Sequence, residues 1–201
     1  MKTKNLAFGT GLALMAAVLV GCAAGAGARP AAGKEPVREA KGVSQVIYTE
    51  EQASTVCYIQ PTEELKAKLS PEEYAVLVQS ATEPPFKNSY WDNHRAGIYV
   101  DRIDGTPLFA SSTKFESGTG WPSFWKPLDE SAIILVRDTT LGMDRIEVRA
   151  RKSGGHLGHL FDDGPNPTGL RYCINSASLE FVPREEMAGR GYAALLGQVG
   201  N

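Results

Sequence analysis

Cysteine is scarce in this chain of 201 residues: Cys22, Cys57 and Cys173 stand far apart, and no Cys-x-x-Cys pair occurs. With only three histidines to add, the ligand set for a structural metal is thin. Basic charge shows no excess, with 21 Lys and Arg against 23 Asp and Glu, which argues against a basic face for nucleic acid. The longest apolar run, Leu6 to Val20, is broken by two glycines and falls short of the roughly 18 residues of a membrane span. No internal repeat stands out. What remains is ordinary soluble composition, 42% hydrophobic and 22% charged, sized for one compact domain with tails.

The N-terminus departs from this. Lys2 and Lys4 precede the apolar run, and Leu19-Val20-Gly21-Cys22 follows it, so residues 1–21 read as a secretory signal peptide. Those four residues also resemble the lipobox of bacterial lipoproteins, which makes Cys22 the lipidation site. Loss of residues 1–21 lowers the basic count from 21 to 19 and leaves a net charge of −4. Residues 22–45, rich in Ala and Gly, read as the lipidated cysteine and a flexible tether. The expected localisation is exported and lipid-anchored, in the outer membrane and periplasm or on the cell surface. Residues 46–185 are then the folded domain and 186–201 a C-terminal tail.

Ser70-Pro71-Glu72-Glu73 is a capping box with proline at the first helical position, and Tyr74, Leu77 and Val78 follow at helical spacing. This predicts a helix over 71–80, with a shorter one over 62–69. Strands are predicted over 96–102 and 107–112, joined through Asp104-Gly105, and over 133–138, 145–151, 170–175 and 179–182. Connections this short favour antiparallel sheet, so the class is mainly β with a small helical preface.

Alternation along Arg171-Tyr172-Cys173-Ile174-Asn175 puts Arg171, Cys173 and Asn175 on one face, with Leu170, Tyr172 and Ile174 on the other. A thiol beside a cation and an amide suits nucleophilic chemistry, although a buried inert cysteine has the same pattern. Cys57 and Cys173 are either a structural disulfide or a reactive cysteine with its resolving partner. His156 and His159 would face opposite ways on a regular strand, and a bulge at Gly158 would turn both the same way. Two histidines satisfied in a polar sheet face, or a metal site, are the alternatives. In Phe115 to Trp125, Trp125 reads as a core anchor and Trp121, behind Gly118-Thr119-Gly120, as the lining of a small apolar pocket. Asp162-Asp163-Gly164-Pro165 reads as a turn.

Together, Ser-Gly-x-Gly-Trp-Pro-Ser-Phe, His-Leu-Gly-His and Arg-Tyr-Cys-Ile-Asn-Ser strongly resemble the B type of methionine-R-sulfoxide reductase. The resemblance runs from about Leu69 through Pro183 and includes Thr82-Glu83-Pro84-Pro85-Phe86, Gly97-Ile98-Tyr99-Val100 and Glu147-Val148-Arg149. It implies a β-tent of two antiparallel sheets with short N-terminal helices. It implies Cys173 as the nucleophile that attacks the sulfoxide sulfur, favoured as thiolate by Arg171. His156 and His159 are the implied proton donors, and Asn175 and Asp163 are implied to orient them or bound water. Trp121 and Phe161 are the implied substrate-binding residues, Trp121 holding the S-methyl group.

Two departures from the family pattern matter. Where many relatives carry four zinc cysteines this chain has Asp101, Asp104, Ala150 and Ser153, so no zinc and no other cofactor is expected. Where many carry a resolving cysteine it has Thr119, which leaves Cys57 as the expected resolving residue. The expected partners are oxidised proteins or methionine-R-sulfoxide and a thioredoxin-like reductant, with the protein a monomer. A cysteine hydrolase using Cys173, a histidine and Asn175, and a non-catalytic binding lipoprotein, are the competing functions.

Overall fold

The computed structural model describes residues 45–56 and 59–200. The expected signal peptide, nearly all of the tether, Cys22 and Cys57 lie outside them. In chain order the elements are β1 (Ile47–Tyr48), α1 (Glu50–Val56), α2 (Glu63–Lys68), α3 (Pro71–Gln79), β2 (Gly97–Asp101), β3 (Pro107–Ala110), β4 (Lys114–Phe115), β5 (Ser123–Phe124), β6 (Ile133–Asp138), β7 (Arg145–Ala150), β8 (His156–Phe161), β9 (Arg171–Ile174), β10 (Leu179–Pro183) and α4 (Arg184–Met187). Single 3-10 turns fill several of the connections.

Ser70 caps α3 as its sequence predicts: its hydroxyl accepts from the Glu73 amide at 3.2 Å, and the Glu73 carboxylate accepts from the Ser70 amide at 2.8 Å. The helix ends at Ser80, which takes the left-handed conformation at φ 55°. Its buried face is Val76 and Leu77, one residue from the expected Tyr74, Leu77 and Val78 stripe. The helix before it is shorter than expected, with Thr62 as its cap.

The strands form a seven-stranded sheet, β1-β6-β7-β8-β9-β5-β4, and a three-stranded sheet, β10-β2-β3. All pairings are antiparallel except that of β1 with β6 at the edge. This is the mainly β class that the sequence predicts. Tyr99, Leu108 and Phe109 of the small sheet pack on Phe124, Leu135, Val148, Leu157, Tyr172 and Ile174 of the large one. Phe109 stacks on Phe124 with ring centroids 4.5 Å apart, and Tyr99 meets Phe124 edge-on at 5.0 Å. Each fully buried aromatic of this kind is worth about 2–3 kcal/mol in apolar burial.

The other faces are covered separately. Residues 186–200, within the stretch expected as a tail, pack Met187 and Val199 against Ile98, Val100, Ala110 and Val182 of the small sheet. Helix α1 packs Ala53 on Ile134 and Val136 of the large sheet, so it lies on the face opposite the main core. The polar residues of β7, β8 and β9 share that outer face, beside α1.

Candidate active site

One row across the large sheet builds the site. Glu147 of β7 pairs with His159 of β8, His159 with Cys173 of β9, and Cys173 with Ser123 of β5. Residues directly opposite one another share a face, so this register lines up their side chains. Arg171 lies two residues before Cys173 and Asn175 two after it, on the same face, while Leu170, Tyr172 and Ile174 enter the core as expected.

Both imidazoles join this row because of a bulge. Val148 pairs with Gly158, but Arg149 pairs with His156, leaving Leu157 as the extra residue on β8. His156 and His159 therefore face the same way, with ring centroids 5.5 Å apart. Gly158 is required there, since a Cβ would overlap the Cys173 carbonyl oxygen of the neighbouring strand.

Carboxylates that sequence reasoning did not assign hold these rings. His156 Nδ1 sits 2.7 Å from Glu147 Oε1, and His159 Nε2 sits 2.8 Å from Asp138 Oδ2. Burial alone would push the Glu147 carboxyl up, but hydrogen bonds from His156 and Arg149 outweigh it and hold it below the ordinary range. Asp138 is held low in the same way, by Thr140, His159 and Arg145. With both carboxylates ionised, the proton of each neutral ring lies on the nitrogen facing its carboxylate, and the other nitrogen is left to the site. Burial lowers the pKa of His159 despite the opposing pull of Asp138. The signal for Glu147 was the polar face of an alternating strand; Asp138 closes the strand beside it.

Of the two roles expected for Asp163 and Asn175, orienting the histidines or bound water, the first is not built by direct hydrogen bonds. Asp163 binds Arg171 through two hydrogen bonds of 2.7 and 2.8 Å, and this holds its own carboxyl below the usual range. The Arg171 guanidinium also lies 4.3 Å from the centroid of the Phe161 ring, so Phe161 supports the arginine from below. Asn175 donates to the Leu157 carbonyl at 3.0 Å and accepts from the Glu83 amide at 3.2 Å. It fastens the bulge rather than a catalytic ring, so a Cys-His-Asn hydrolase triad is not assembled.

Cys173 is free and partly buried. Its burial pushes the thiol pKa up, and the opposing pull of Arg171 and of the Thr119 and Ser123 hydroxyls does not fully offset this. Arg171 favours the thiolate as expected, but desolvation wins. Thr119 Oγ1 lies 3.9 Å from Cys173 Sγ. Trp121 is half-buried beside this loop and donates its indole N–H to the Glu83 carbonyl at 3.0 Å. Glu83 is a junction that sequence reasoning missed: it is 4% exposed, and its carboxylate accepts from the Ser176 and Ala177 amides. Trp125, expected as a core anchor, is only half-buried and carries Lys126 over its ring; Phe124 takes the core position. A cavity of 640 Å³ lined by Glu73, Glu83, Arg102 and Glu180 is bordered by neither Cys173 nor Trp121.

Comparison with known proteins agrees with this geometry. The SelR domain family matches residues 69–183. A peptide methionine sulfoxide reductase MsrA/MsrB of Vibrio cholerae serotype O1 is 51% identical over 146 residues, covering 72% of this chain and 39% of that protein. The chain thus spans well under half the length of that relative. With the family match extending from the helical preface through β10 and enclosing every residue of the histidine and cysteine row, the chain belongs to the SelR domain family.

Proposed function

We propose that this protein reduces methionine-R-sulfoxide, in oxidised proteins and as the free amino acid, to methionine. The observation that carries this reading is the placement of Cys173 beside two carboxylate-held imidazoles on one sheet face. Cys173 as thiolate attacks the sulfoxide sulfur to form an S–S bond, and the imidazolium forms of His156 and His159 give the oxygen two protons, so that it leaves as water. Water then attacks the Cys173 sulfur, the S–S bond breaks to release methionine, one proton returns to an imidazole, and Cys173 is left as a sulfenic acid. Arg171, clamped by Asp163 and backed by Phe161, stabilises the anionic sulfur, and Trp121 offers an apolar wall to the S-methyl group.

Cys57 resolves the sulfenic acid: its thiol attacks the Cys173 sulfur, water leaves, and a disulfide forms that a thioredoxin-like dithiol reduces. The net reaction turns sulfoxide and dithiol into methionine, disulfide and water. In support, the residues flanking Cys57 belong to the active-site side of the sheet. Glu50 of α1 pairs with Arg149, which also bonds Glu147, and Ile59 and Pro61 border a cavity that His156 lines. Lipidation at Cys22 would place this repair activity in the cell envelope.

No zinc is assigned a part. Asp101 accepts from Ser153 at 2.6 Å and from the Ile103 amide at 2.7 Å, Asp104 pairs with Lys152 at 3.6 Å, and Ala150 offers no donor side chain. These positions hold two turns together by hydrogen bonds, and a metal does not fit them.

The test compares two variants. Cys57→Ser keeps turnover with a small dithiol and loses most thioredoxin-supported turnover, whereas Cys173→Ser is inactive with either. Full thioredoxin-supported activity in the Cys57 variant would remove the resolving assignment.

A further inference from the structure

We propose that Ser123, Ser117 and Thr119 form a directed relay of hydroxyls that ends in a hydrogen bond to the Cys173 sulfur, making Thr119 a catalytic residue of this site. The inference rests on Cys173 being the nucleophile of the proposed reaction. Ser123 stands directly across from Cys173 in the register of β5 and β9 and is fully buried. Its hydroxyl donates to Ser117 Oγ at 2.8 Å, sharing the proton with the Trp121 carbonyl at 3.2 Å. Ser117 Oγ also accepts from the Thr119 amide at 3.4 Å and lies 2.8 Å from Thr119 Oγ1.

A hydroxyl has one proton to give and two lone pairs to offer. Ser117 already accepts twice, so its proton goes to Thr119. Thr119 therefore keeps its own proton for the nearest remaining acceptor, Cys173 Sγ at 3.9 Å. Gly118 and Gly120, at φ 72° and 88°, bend the backbone on both sides of Thr119 and turn its hydroxyl inward. A Cβ at Gly120 would meet Phe86 and Pro85, which fixes this loop from outside.

The consequence follows from the state of the sulfur. A thiolate can only accept, and burial works against it, so a donor that costs no charge adds to Arg171 in supporting the reactive form. The relay makes and breaks no covalent bond; each proton stays on its oxygen. The charged and titratable groups facing the sulfur are Arg171 on its own strand, His159 and then His156 on β8, and Asp163 behind Arg171. From β5 and the loop before it the Ser123 and Thr119 hydroxyls act on the sulfur, and with the Ser123 proton engaged by Ser117 and the Trp121 carbonyl, Thr119 is the donor left to it.

The experiment follows iodoacetamide alkylation of Cys173 against pH, resolved by mass spectrometry of the peptide that contains it, beside turnover of methionine-R-sulfoxide with a small dithiol. Thr119→Val moves the alkylation midpoint to higher pH and lowers kcat/KM roughly tenfold. Thr119→Ser restores both and matches the parent in thermal melting. Ser117→Ala and Ser123→Ala shift the midpoint in the same direction by less. An unchanged alkylation profile in Thr119→Val overturns the relay. A parent protein without sulfoxide turnover would instead remove the proposed function, and the alkylation profile would still decide the relay.

Discussion

Glu147 Oε1 lies 2.7 Å from His156 Nδ1, and both residues are buried, at 5% and 2% exposure. The ionised carboxylate places the ring proton on Nδ1 and stabilises an imidazolium when one forms. Among the described residues, His156 Nε2 is buried without a hydrogen-bond partner, so that nitrogen is available to a substrate oxygen. Glu147→Gln should lower kcat about tenfold or more with little change in KM, and steady-state kinetics at saturating dithiol measures it.

Asp138 acts on His159 by charge as well as by contact. Burial depresses the pKa of His159, and Asp138 opposes that depression. Removing the charge in Asp138→Asn therefore lowers the pKa further. If the protonated ring delivers a proton, the alkaline limb of the kcat profile moves to lower pH in this variant. An unmoved limb would take His159 out of proton delivery.

Asp101 couples stability to pH. Its burial raises its carboxyl pKa to about 6 from an ordinary value of 3.8, so the folded protein holds a proton there that an unfolded chain releases. Stability from this group is full below about pH 4 and is lost as pH rises through about 6. The loss is about 2–3 kcal/mol. Asp101→Asn carries no charge, still accepts from the Ile103 amide and offers its NH2 to Ser153 Oγ, so urea denaturation at pH 4 and pH 7 should show the parent falling relative to the variant.

Gly158→Ala tests the bulge. The added methyl meets the backbone of β9, which cannot swing aside as a side chain would. About 2–4 kcal/mol of stability should be lost, along with most activity, because the displaced strand carries Cys173. Chemical denaturation and the sulfoxide assay read the two effects separately.

Particular residues show what the sequence reveals and what it hides. Strand β6 matches its expected span because its short run of apolar, largely β-branched residues, Ile133 to Val136, is a local property. The bulge was foreseeable from Gly158 between two histidines. Helix α1 was not, since Ala53 is its one buried residue and the helix owes its place to docking on Ile134 and Val136. The carboxylates that hold the histidines stayed hidden because cross-strand partners depend on register, which no single strand encodes. The Asp163 partner stayed hidden for a related reason: its turn delivers it to Arg171, eight residues on, and away from the nearer histidines.

The most direct measurement is an assay of purified protein on separated R and S epimers of a methionine sulfoxide peptide, counting methionine formed and thiol oxidised. The account predicts consumption of the R epimer alone, two thiols oxidised per methionine formed, and no turnover in Cys173→Ser. Turnover of the S epimer alone, or undiminished turnover without Cys173, would contradict it.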